Sequence, residues 1–177
     1  MKTRHAAAIS PRKPGSIVTP SLQVLDYLCR RARPDEVEQY AALTGSPYDP
    51  EAAAVAFWRA GKWSLAVVHP NGEPAAAGGY EQVMPGVWQS WMVGTVRGWE
   101  EMWVDIHRAT RFLTEQLVDS GLARRLQTTA LASRVEACRW YERLGMKHEG
   151  TMAAVGFGGE DVAMYGRAVR GAEQEVR

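Results

Sequence analysis

Apolar and polar positions alternate between two periods along this chain. "LQVLDYLC", from Leu22 to Cys29, is an apolar run that reads as a strand, and "RPDEVEQYAAL" follows with helical spacing and acids in its first turn. "DPEAAAVAFWRAG" predicts a second helix, in which Asp49 caps, Pro50 suits the first helical position and Gly61 closes the end. In "KWSLAVVHPNGEPAAAGGYEQVMPGVWQSWMVGTV", Asn71-Gly72 and Pro85-Gly86 punctuate runs rich in β-branched and aromatic residues, predicting three antiparallel strands. Trp63, Leu65 and Val67 share one face of the first, and Val87, Gln89, Trp91 and Val93 one face of the third. Both faces carry apolar side chains, so helices are expected to cover the sheet.

From Trp99 the period becomes helical: Trp99, Met102, Trp103, Ile106, Leu113 and Leu117 form one stripe before Gly121, in the longest helix. "RRLQTTAL" returns to period two and "RVEACRWYERLG" to helical spacing, and two last strands flank Gly158-Gly159. The predicted order is β-α-α-β-β-β-α-β-α-β-β. It is an α/β arrangement with a mixed, mostly antiparallel sheet of about seven strands and helices on both faces.

Composition narrows this little further. At 177 residues the chain suits one domain, expected over 21–170 between a flexible arm (1–20, broken by Pro11, Pro14, Gly15 and Pro20) and a tail (171–177). Lys plus Arg balance Asp plus Glu at 21 to 20, so no global field draws the protein to nucleic acid or an acidic membrane. Two cysteines, Cys29 and Cys138, are too few for a disulfide framework and point to a reducing compartment. With no signal-peptide core or bilayer-length apolar stretch, a cytoplasmic protein is expected.

"EACRWYERLGMKHEG" carries the most specific pattern: Ala137, Trp140, Tyr141, Glu142, Gly145, Met146, Glu149 and Gly150. It resembles a signature of the GNAT superfamily of acyl-CoA-dependent N-acyltransferases, and "GGEDVAMYGR" resembles that family's final hairpin. Over residues 22 to 169 the resemblance implies two central parallel strands that splay into a slot for pantetheine, with acetyl-CoA as cosubstrate and a primary amine, free or on a protein, as acceptor. Tyr141 then matches the acid that protonates the leaving thiolate. A phenol titrates near 10 and stays protonated at neutral pH, so it needs no tuning to donate. The other reading of Tyr141 is a wedge packing helix on sheet.

By the same resemblance Met92 and Val93 offer backbone groups to pantetheine, and Arg97, Gly98 and Trp99 meet the pyrophosphate. The family's glycine-rich loop lets bare N–H groups cradle phosphate at a helix N-terminus. Here "VGTVRGWEEMW" places Glu100 and Met102 where small residues would stand. Either the register shifts to expose Gly94 and Gly98, or Arg97 carries the charge, or the cofactor site is lost. Ser133 and Arg134 begin the next helix, where Arg134 either reaches a phosphate or is a solvated first-turn residue.

Glu81 is the candidate general base, its alternative being a solvent-facing acid on a strand. His5, His69, His107 and His148 are scattered with no ligand spacing, so no metal is expected. "GVWQSWMVGT", "WEEMW" and "WYERLG" are also similar to GNAT-like proteins of tailed bacteriophages, some counted among internal virion proteins. That similarity implies a packing or interaction module with virion partners, in which the tryptophans line a binding face or simply fill the core.

Overall fold

A computed structural model describes residues 15–169. Seven strands form one sheet: β1 Ser16–Val18, β2 Trp63–Val68, β3 Pro74–Met84, β4 Val87–Gly94, β5 Arg125–Leu131, β6 Lys147–Met152 and β7 Val162–Ala168. Their spatial order is β1-β2-β3-β4-β5-β7-β6. Only β4 and β5 pair in parallel, joined by the longest helix as a crossover. The helices are α1 Leu22–Cys29, α2 Pro34–Thr44, α3 Pro50–Arg59, α4 Val96–Asp119 and α5 Val135–Arg143.

The predicted fold class holds, and the first element is corrected. Leu22–Cys29 is a helix, capped by Ser21, whose side chain accepts the Val24 N–H. Its buried residues Leu25, Leu28 and Cys29 follow helical spacing, the period that an apolar run this short disguises. The first strand lies earlier, at Ser16–Val18, inside the segment expected as an arm, and pairs with β2. Residues 1–14 of that arm and the expected tail lie outside the described residues.

Helices cover both faces. α1 and α3 pack Leu25, Leu28, Ala53 and Ala54 against Ala66, Ala77 and Val93. On the other face α4 lays Met102, Ile106 and Ala109 on β2 and β3, and its lower half joins α5 through Leu113, Leu117, Tyr141 and Leu144. Trp103 leaves the predicted stripe and is 50% exposed.

Two local devices position the site. Gly98, in the first turn of α4, is buried on β3, and a Cβ there would run into the Ala75 carbonyl, so glycine lets helix and strand approach. The β4–β5 ladder covers only Val87, Trp88 and Gln89 on β4. Beyond Gln89 the strands part, and a slot opens beside Ser90–Gly94.

Candidate functional site

The slot widens into a cleft of ≈ 960 Å³ walled by β4, β5, α2, α4 and α5. Its size is that of a small-molecule site. Backbone alternation decides what β4 offers to it. Thr95 N–H donates to Ala75 on β3, whereas Gly94 N–H donates the other way, to Glu36 Oε2 at 2.8 Å. Ser90, Met92 and Gly94 therefore direct their peptide groups into the slot, while Trp91 and Val93 spend theirs on β3.

Glu36, in the first turn of α2, sits at the head of that open edge. Its Oε1 accepts from Trp99 Nε1 at 2.8 Å, and Arg33 N–H donates to the Gly94 carbonyl at 3.1 Å. A sliver of Glu36 faces the cleft, but protein packs round it, and loss of hydration pushes its pKa up to about 7 against the donors and nearby Arg134 and Arg33 that oppose the shift. Neighbouring Asp35 crosses the slot: its Oδ2 takes Arg134 Nη2 at 2.8 Å and Nε at 3.0 Å, and Arg134 Nη1 donates to Gln39 at 2.7 Å. The side chain of Arg134 is only 12% exposed. It straps α2 to the β5–α5 connection.

Tyr141 lies on the floor, 7% exposed, and bonds Thr128 on β5. Burial raises its phenol pKa, with Arg134 and the Thr128 bond pulling the other way, so it is protonated across the neutral range. Trp140 and Tyr165 flank the ring at centroid distances of 5.7 and 5.6 Å, and Trp140 also meets Trp99 edge-on at 5.3 Å.

The remaining candidates divide. Met92, Trp99, Ser133 and Arg134 line the cleft with Tyr141. Val93 is buried against α1 and α3. Glu81 is exposed on β3 opposite Gln89, outside the cleft lining. Arg97 turns away to Glu73 at 2.8 Å and Glu101 at 3.0 Å. Gly98 gives its N–H to Thr95 Oγ1, the N-cap of α4, at 2.9 Å, and Trp99 N–H already closes the first helical bond to Thr95. Of the three loop arrangements open from sequence, this geometry leaves only the first N–H groups of α4, at Val96 and Arg97, outside the helical ladder.

Comparison with solved structures then places the architecture. Ribosomal-protein-S18-alanine N-acetyltransferase from Escherichia coli superposes with a TM-score of 0.66 at 15% identity, covering 92% of this chain and 99% of that one. A GNAT-family acetyltransferase from Bacillus anthracis gives 0.64 at 10%, covering 89% and 96%. The fold is the GNAT fold. A GNAT-superfamily phosphinothricin acetyltransferase from Sinorhizobium meliloti, determined in complex with AcCoA, gives 0.63 at 13%, covering 93% and 96%. No protein-family profile and no curated protein sequence matches the chain.

Within this GNAT fold, sequence reasoning missed Glu36, Asp35, Gln39 and the orphan donor Trp91 Nε1, which is buried with no partner on a residue that lines the cleft. Acids after a proline in a first turn signal only a helix start. Among the described residues no cluster of three or more His, Cys, Asp or Glu is arranged to hold a metal, and no helix is long and apolar enough to cross a membrane.

Proposed function

We propose that this chain is an acyl-CoA-dependent N-acyltransferase that passes an acetyl-class group to a primary amine by direct attack. The observation that carries the reading is Tyr141, a protonated phenol on the floor of the slot where β4 and β5 part. The slot fits a thioester with a pantetheine arm. Met92, past the end of the β4–β5 ladder, offers unspent peptide groups of the kind an extended amide chain pairs with. At the outer end, Arg139 and Arg143 of α5 line the cleft without an ion pair among the described residues, and the free N–H groups of Val96 and Arg97 begin α4.

The chemistry balances on two residues. Acetyl-CoA would supply the thioester. As the amine nitrogen bonds to the carbonyl carbon and the C–S bond breaks, one proton leaves nitrogen and one must reach sulfur. Tyr141 donates the second. Glu36 receives the first: its pKa of about 7 suits a base at neutral pH, and its charge is felt at Tyr141. Glu36 thus replaces Glu81 in the proposed role, because it faces the cleft. Calorimetric titration with acetyl-CoA tests the reading, and no heat at millimolar ligand would overturn it.

A second reading, a phage-type interaction module without catalysis, has one observation in its favour. The first turn of α4 is already closed by Thr95, with Glu100 on the cleft wall, so no glycine cradle for pyrophosphate exists there.

A further inference from the structure

Beneath the cleft, between β3, β4, α4 and α5, lies a second cavity of ≈ 30 Å³. Val67, Ile106, Ala109 and Leu113 give it an apolar wall, and none of its lining residues is charged. Cleft and cavity share Met92, Trp140 and Tyr141, so they adjoin at the proposed acid.

The cavity persists because two positions withhold side-chain bulk. Gly78 stands inside β3, where glycine weakens a strand and often marks close approach by another group. A Cβ there would lie 2.8 Å from Met92 Sδ, so Gly78 clears the space that the Met92 thioether occupies. Opposite, Ala109 on α4 presents only a methyl.

We propose that this cavity receives the acyl chain of the thioester, and that Met92 sets the chain length admitted. The inference rests on the acyltransferase reading above. At ~10–15 Å³ for a water-sized group, the volume holds roughly two such groups, a methyl and one methylene. A propionyl group fills it better than acetyl does. Longer chains meet Met92, and an acyl group ending in a carboxylate loses its hydration with no cation in the wall.

The test is calorimetry of the full chain with CoA and with its acetyl, propionyl, hexanoyl and succinyl thioesters. Propionyl-CoA should bind about four-fold tighter than acetyl-CoA, the factor for burying one methylene. Hexanoyl- and succinyl-CoA should bind no better than CoA. Met92→Ala should extend the gain to hexanoyl-CoA. Ala109→Leu should erase the acetyl–propionyl difference while leaving CoA affinity unchanged. The two variants act in opposite directions and thermal melts check their folding, so either one, or the wild-type series alone, decides. CoA binding with no dependence on chain length in any form would overturn this inference and spare the function. No binding by any thioester or by CoA would overturn both.

Discussion

Glu36 and Gly94 are joined by a 2.8 Å hydrogen bond that closes the end of an otherwise open sheet edge. The backbone N–H, the indole of Trp99 and nearby Arg33 and Arg134 make an anion site, and the anion is the protein's own carboxylate. α2 therefore docks on β4 partly through a group whose ionisation is costly in that place.

That cost has a sign and a window. Glu36 titrates at about 7 in the folded chain against an ordinary 4.5, so the folded state holds the proton more tightly and this site loses stability as pH rises from 4.5 through 7. At 1.36 kcal/mol per pKa unit the loss is roughly 3 kcal/mol. Glu36→Gln cannot ionise. Whatever hydrogen bond it forfeits at pH 5, urea denaturation should show it gaining on wild type by up to that amount at pH 8. A mutant-to-wild-type gap that is the same at both pH values would mean Glu36 titrates normally.

Arg134 should act as the strap. Replacing it with Ala removes three hydrogen bonds, two of them to a carboxylate and worth about 1.5–3 kcal/mol each, and leaves Asp35 paired with Arg33 and Gln39 with the Leu131 N–H. Amide hydrogen exchange in α2 should quicken while the β2–β3–β4 amides keep their protection. Uniform quickening would instead make Arg134 a global stabiliser.

Much of this was legible in the sequence, for a reason the misread parts make plain. α4 declares itself because its period repeats over 24 residues, β4 and α5 because polar residues interrupt their apolar ones at the strand or helix period, and Gly121 and Gly145 mark ends locally. α1 spans only eight residues with apolar side chains on most positions, so both periods fit. The site is less legible because its contacts are remote: Glu36 meets Gly94 and Trp99 at separations of 58 and 63 residues, and Arg134 meets Asp35 at 99. Tyr141 was legible through its surrounding motif. Glu81 does lie on a central strand, but alternation faces it to solvent.

Gly98 separates a packing glycine from a phosphate-binding one. Gly98→Ala drives a methyl into the Ala75 carbonyl, so the fold should lose about the 1–3 kcal/mol typical of overpacking. Any thioester affinity measured below the melting transition should change little, since the Gly98 N–H is already given to Thr95. A large fall in affinity with unchanged stability would return Gly98 to the phosphate.

Tyr141 carries the sharpest test, because its ring and its hydroxyl do separable work. The ring is wedged between Trp140 and Tyr165, so Tyr141→Ala should destabilise the fold by about the 3–5 kcal/mol expected for truncating a buried aromatic. Tyr141→Phe keeps the ring and loses only the bond with Thr128, which costs about 0.5–1.5 kcal/mol. Turnover with an acceptor amine should nevertheless drop by roughly 10²–10⁴-fold in the Phe variant, the contribution of a positioned acid. Thioester affinity should hold, because charge on sulfur develops mainly in the transition state. If the acid is Tyr141, the loss should also shrink with a thioester whose thiol is more acidic, since that leaving group needs no proton. A Phe variant with undiminished turnover would leave Tyr141 as a wedge alone.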